Sequence, residues 1–353
     1  MKITRSRLAI GAAATAAAGL AGAAAAGAIT VRRWRRRPDP ASAEDFREPA
    51  GTRHRTLPSA DGGEIHVVER GEGRPFLLIH GVTETTLVWH YQLQDLVEAG
   101  YRVVAMDVRG HGKSRAGRDG HTLEAMAHDA YEVLQALDLR ETVAVGHSMG
   151  AMILFQLLAD HPELVSDGAI ASIALVATSA SPILGNGVPA AAAELVRVLT
   201  PVAGRGHIRA TAGRVQRGKT PGDVAAVYCR LAFGSNPSPT HVELLRAMSS
   251  AVPAPIVAEL VQTLLSLDVR KVLPAIAAPA LVVVGKRDLL TPVWHSRYIA
   301  GHIPVAELHE LPECGHMVMF ERRAQLAEML VDFAERTKPV TEETMVAGVP
   351  PAP

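Results

Sequence analysis

Ser148 stands between two glycines in Gly146-His147-Ser148-Met149-Gly150, and the run leading to it, TVAVG at 142 to 146, has the composition of a buried strand. The run after it, AMILFQLLAD, is an apolar helix by the same reading. A serine at a sharp strand-to-helix turn has its hydroxyl lifted clear of the sheet, which suits it to act as a nucleophile. Gly146 and Gly150 then have a steric reason, since side chains two positions to either side of Ser148 would collide where strand and helix approach. A serine that merely caps the helix is the competing interpretation.

An alcohol is a weak nucleophile at neutral pH, so Ser148 needs a base, and the base needs a group that fixes its tautomer. In folds built on this junction the chain order is serine, acid, histidine, each on a loop at the carboxyl end of a strand. LVVVGKRDLLTP places Asp288 three residues past Gly285, and HELPECGHMVMFE places His316 five residues past Leu311. Of the 15 histidines, only His316 falls between the last expected strand and the last expected helix; His295 and His302 fall on a helix and His309 in a strand. An acid after the strand at 172 to 177 is the alternative site, but residues 170 to 185 contain no Asp or Glu, which favours Asp288. The competing role for Asp288 is a helix cap or an ion pair with Arg287. Charge developing on a substrate oxygen also needs donors. The Met149 N–H follows the serine, and HGVTETTLVWH offers the Val82 N–H, with His80 and Gly81 shaping that loop.

These residues require a scaffold of alternating strands and helices. RTLPSADGGEIHVVER reads as a hairpin around Asp61-Gly62-Gly63. Buried strands follow at 75 to 81, 102 to 108, 142 to 146, 172 to 177, 280 to 285 and 306 to 311. Helical stripes such as Leu123, Met126, Ala130 and Leu134, or Leu326, Leu330 and Phe333, are core faces between them. The expected fold class is α/β, a mostly parallel eight-stranded sheet with helices on both faces. The alternation breaks once, and the expected organisation is a core over 54–180 and 271–337 with a helical cap over 181–270. Ile256, Val257, Leu260, Val261, Leu264 and Leu265 in that cap either line a pocket or pack one helix on its neighbours.

The two ends are read by composition. Residues 1–37 hold eight Lys or Arg and no acid, and residues 8–31 are 24 uncharged residues of mostly alanine and glycine. That length suits a membrane anchor, and the arginines at 32 to 37 would leave the body on the cytoplasmic face. A cleaved signal peptide followed by secretion is the alternative, given the small residues around Ala23 to Ala28. Residues 38–53 read as linker and 338–353 as a disordered tail. Net charge is zero over 353 residues, so the remainder of the chain is mildly acidic, which argues against a nucleic-acid partner. Cys229 and Cys314 form no disulfide framework, and no metal or cofactor is expected. DVRGHGKS at 107 to 114 ends like a phosphate loop, but Asp107 occupies the position of the required first glycine, so Asp107 and Arg109 read as structural.

With HG at 80–81, DVRGHGKS, GHSMG at 146–150, GKRDLLTP at 285–292 and GHMVMFE at 315–321, the chain resembles the α/β-hydrolase superfamily over roughly residues 54–336. It is most similar to the capped branch of esterases, cofactor-free haloperoxidases, carbon-carbon bond hydrolases and epoxide hydrolases. The epoxide hydrolases and haloalkane dehalogenases carry aspartate where this chain has Ser148, so the resemblance implies an acyl-enzyme. The expectation is a serine hydrolase acting on a small, apolar acyl ester. Carbon-carbon bond hydrolysis or peracid formation by the same triad, and a non-enzymatic small-molecule receptor on this fold, are the rivals.

Overall fold

The computed structural model describes residues 46–182 and 229–338, together with Arg36, Pro38, Asp39 and Ala41. Residues 8–31 and 339–353, and residues 183–228 of the expected cap, lie outside the described residues. Among the described residues no single helix is long and apolar enough to cross a membrane, although two bent helices, Pro239–Ala251 and Ala254–Ser266, pass that test as a pair.

The hairpin forms as β1 (Arg53–Pro58) and β2 (Glu64–Arg70), paired antiparallel, with Gly62 at φ 88° in the turn. Six further strands follow: β3 (Pro75–Ile79), β4 (Arg102–Met106), β5 (Thr142–His147), β6 (Ile170–Val176), β7 (Ala280–Gly285) and β8 (Ala306–Leu311). They make one eight-stranded sheet in the order β1-β2-β4-β3-β5-β6-β7-β8, and β3 to β8 are mutually parallel. The chain leaves β3 for β4 on one side and then crosses to β5 on the other. The carboxyl ends of β3 and β5, where the order reverses, are the usual place for a ligand in such a sheet.

Side chains alternate across the sheet, so each strand feeds two cores. Leu77, Ile79 and Ala144 pack on the face covered by α2 (Leu123–Ala136) and α3 (Met149–Asp160), after α1 (His90–Glu98) in the chain. Phe76, Leu78, Val143 and Val145 point the other way, toward α1 and the C-terminal helix Arg323–Arg336. Both faces of the central strands are therefore dry, which is why they read as continuous apolar runs.

Several details differ from the sequence reading, among them β6, which spans Ile170–Val176 where 172 to 177 was expected. Strands β3 and β4 stop at Ile79 and Met106, two residues short of their apolar runs, which releases His80, Gly81, Asp107 and Val108 into loops at the carboxyl end of the sheet. Strand β8 is half-buried because it is an edge strand with only β7 beside it. The helix Val293–Ala300 carries His295 but ends before His302. Of the expected cap over 181–270, the described residues are Ser181, Pro182 and Cys229 to Arg270, among which Leu260 and Leu264 are buried against the core while Val257, Val261 and Leu265 are half-buried.

Candidate active site

Ser148 directly follows β5 and precedes α3, at φ 49° and ψ −114°. A non-glycine residue held there costs about 1–3 kcal/mol, so the surroundings must enforce it. They do so from both sides. The Ser148 N–H donates to the Val176 carbonyl at 2.9 Å, and its carbonyl accepts from Ala151 N–H and from the Thr178 hydroxyl at 2.8 Å. The Ser148 side chain makes no capping hydrogen bond to α3, so the hydroxyl is not spent on the helix.

The flanking glycines sit where the backbones touch. A Cβ on Gly146 would lie 2.3 Å from the Ala151 nitrogen, and one on Gly150 would lie 2.1 Å from the Ile79 carbonyl oxygen. Neither contact can be relieved by moving a flexible side chain. Gly150→Ala is therefore expected to cost about 3 kcal/mol of stability, the upper end of overpacking penalties. Urea unfolding measures it, and an unchanged midpoint would contradict this close approach.

Asp288 and His316 meet through a 2.8 Å hydrogen bond from His316 Nδ1 to Asp288 Oδ2, with both side chains buried. Asp288 belongs to a tight turn: its Oδ1 accepts from the Leu290 and Thr291 N–H groups, and its Oδ2 from the Thr291 hydroxyl at 2.7 Å. It does not pair with Arg287, which binds Glu313 instead. Burial works against the charge on Asp288, but His316 and these donors outweigh it and hold the carboxyl below its usual range. Burial likewise pushes His316 down, and the Asp288 carboxylate more than offsets it, raising the imidazole above its usual range. The backbone of His316 is itself tied to other segments at both its polar groups. Its N–H donates to the Ala232 carbonyl at 2.8 Å, and its carbonyl accepts from His147 Nε2 at 3.1 Å. Because His147 is covalently next to Ser148, and the two imidazole rings are 4.7 Å apart, the His316 loop is docked against the turn that carries the serine.

The loop after β3 is held with equal care. His80 Nδ1 donates to the Gly81 carbonyl at 2.7 Å, and His80 Nε2 accepts from Val108 N–H at 2.9 Å. Those partners define a neutral tautomer, and burial keeps the ring below its usual pKa despite Asp107 nearby. With the Gly81 carbonyl turned toward His80, the N–H of the same trans peptide, that of Val82, points the opposite way. Thr83 follows at φ 59°, pinned by a hydrogen bond from its N–H to His111 Nε2. Among the described residues neither the Val82 nor the Met149 N–H has an acceptor. Val82 lies on the loop after β3 and Met149 opens α3, so both sit at the carboxyl ends of neighbouring strands, β3 and β5.

The comparisons with known proteins agree with this architecture. The alpha/beta hydrolase fold family model matches residues 74–323. This chain belongs to the α/β-hydrolase family. Among its relatives is a putative carbamate hydrolase from Variovorax paradoxus, 30% identical over 77% of this chain and 95% of that protein. A non-heme chloroperoxidase from Kitasatospora aureofaciens is 42% identical, but over only 29% of this chain and 37% of its own length. The chain spans about two fifths or less of the first curated relatives that it matches. Among solved structures, Est816, described as an N-acyl homoserine lactone degrading enzyme, is 26% identical with a TM-score of 0.62, covering 80% of this chain and all of that one.

Around this candidate site Thr291, Glu321 and Glu84 carried no sequence signal strong enough to single them out, whereas Asp107 and Arg109 were read from the sequence as structural. Thr291 bridges Asp288 and His316, its hydroxyl lying 3.2 Å from His316 Nδ1. Asp107 accepts from Thr86 N–H and Lys113 N–H and pairs with His66, so it braces the loop after β3 as well as its own. Arg109 is buried between Asp61 and Asp129, a structural role as expected. Glu321 accepts from Gly234 N–H and Gly315 N–H and so joins the cap-side segment to the His316 loop; burial pushes its carboxyl up to about 7. Glu84 is the least foreseeable of all, a buried carboxylate within the loop after β3.

Proposed function

We propose that this hydrolase cleaves a carboxylic ester through an acyl-enzyme on Ser148. The observation that carries the reading is the bonded Asp288–His316 pair on a loop docked against the strained turn of Ser148. Since Nδ1 is engaged with Asp288, Nε2 is the nitrogen of His316 left to take the serine proton. Ser148 Oγ attacks the carbonyl carbon, and the Val82 and Met149 N–H groups receive the oxyanion. Collapse of the adduct breaks the bond to the alkoxy oxygen, to which His316 returns the proton. Water then repeats the sequence on the acyl-enzyme and regenerates Ser148.

The structural neighbours at 25% identity or more support the ester class, a thermophilic esterase from Thermogutta terrifontis and Est816 among them. A lactone is an internal ester and belongs to the same chemistry. The chloroperoxidase relative favours a second outcome at the same site, interception of the acyl-enzyme by hydrogen peroxide to give a peracid. A panel of p-nitrophenyl esters of graded acyl length, with a lactone, a 1,3-diketone and peroxide as a competing nucleophile, separates these. Turnover of esters above the diketone is expected; diketone cleavage with inert esters would replace the reading by carbon-carbon bond hydrolysis. Saturable ligand binding without turnover of any substrate would replace it by a receptor function.

A further inference from the structure

We propose that Glu84 and His147 are positioning residues, a buried clasp that ties the loop carrying the Val82 N–H to the backbone of His316. The clasp holds the oxyanion donor and the general base at one spacing around Ser148, and it rests on the acyl-transfer reading above.

The contacts form an unbroken path between the loops. Glu84 Oε2 accepts from Gly81 N–H at 2.7 Å and meets His147 Nδ1 at 2.9 Å, so one proton lies between carboxyl and ring. On the far side of the ring, Nε2 faces the His316 carbonyl at 3.1 Å, and a carbonyl only accepts, so Nε2 carries a hydrogen. Residues from the ends of β3, β5 and β8 are thereby joined through two side chains.

Burial argues that this arrangement has a purpose beyond solubility. Glu84 is 3% exposed and His147 has no exposed surface, and a carboxylate so placed is costly unless every donor around it is well set. Here burial pushes the Glu84 carboxyl up, but hydrogen bonds from His147 and the Gly81 N–H help to hold it below its usual range.

Gly81 supplies an independent observation. A Cβ on Gly81 would meet His147 Nδ1 at 2.9 Å, Glu84 Oε2 at 3.0 Å and the Ser148 Cβ at 3.1 Å. Glycine is thus the residue that lets the clasp and the nucleophile approach the same point. With the Gly81 N–H held by Glu84 and its carbonyl held by His80, both ends of the residue are fixed, and the direction of the next N–H follows. A misplacement of about 1 Å in such a group costs about 10²-fold in rate.

The full-length protein, assayed on p-nitrophenyl acetate with active sites counted by a fluorophosphonate, tests the clasp. Glu84→Ala is expected to lower kcat per titrated site by about 10²-fold with KM within about twofold, because the lost interaction acts only in the transition state. Binding of phenylboronic acid, whose serine adduct is tetrahedral and anionic, should weaken in parallel. Glu84→Gln, with its amide oxygen in the place of Oε2, can still accept from both Gly81 N–H and His147 Nδ1 but lacks the charge, and should recover part of the loss. If Glu84→Ala does not fold, His147→Asn serves instead: it retains a donor toward Glu84, lacks the reach to His316, and should slow kcat by about 10-fold at unchanged KM. Wild-type kcat per site in the folded variant overturns the clasp, as does a rise in KM alone, or a Glu84→Gln enzyme no faster than Glu84→Ala. Inert wild-type enzyme on every ester would instead remove the acyl-transfer reading, and the clasp with it.

Discussion

Ser148→Ala is expected to lower kcat on a p-nitrophenyl ester by at least about 10³-fold, while the protein keeps its fold. The substitution removes the one oxygen that can form the acyl bond and leaves everything that positions it. The Ser148 backbone bonds to Val176, Ala151 and Thr178 are peptide groups or another residue's hydroxyl, so alanine preserves them all. The Ser148 side chain caps nothing, which removes the usual reason for a serine-to-alanine change to weaken a helix. Steady-state kinetics with a matched melting curve reads both halves of the expectation. Turnover near the wild-type value would mean that hydrolysis proceeds elsewhere. Loss of fluorophosphonate labelling in the same variant would locate the reactive hydroxyl independently of any substrate.

Asp288→Asn is the second large effect, with kcat falling by about 10³- to 10⁴-fold. The asparagine is nearly the same shape and can still accept from Thr291, so packing barely changes. What changes is the partner presented to His316 Nδ1, which now meets an amide able to donate. The ring can then take the tautomer that leaves Nε2 protonated and unable to accept the serine proton. The charge on Asp288 also raises the pKa of His316, and the free enzyme needs that ring neutral. Removing the charge lowers the pKa, so the acidic limb of kcat/KM should move to lower pH even as the plateau falls. A limb that stays in place would show that the activity loss is not due to lost electrostatic support of His316.

How much of this was legible follows from how local each signal is. The strands are local: the alternation of Phe76, Leu77, Leu78 and Ile79 between two dry faces is written in consecutive residues, and so is the glycine bracket of Ser148. Asp288 and His316 were reachable because a loop at the end of a buried strand is recognisable from the strand. Glu84 was not, because a glutamate between two threonines is indistinguishable from a solvated loop residue until the fold buries it beneath His147. The Thr291 hydroxyl and the Glu321 bridge are opaque because their partners, even those three and six residues away, are chosen by the way the loops fold and not by any local pattern.

By itself, then, the order of apolar runs, glycines and polar loop residues determined the α/β scaffold, the strained serine turn and the two residues proposed to serve it, because each depends on neighbours within a few positions. The tertiary structure alone decided that the His316 loop docks on His147, that Glu84 is buried, and that Gly81 lies where carboxylate, imidazole and nucleophile converge. Those facts depend on distances between segments 60 to 170 residues apart, and only the packed sheet, by removing water from between them, turns such a separation into a hydrogen bond.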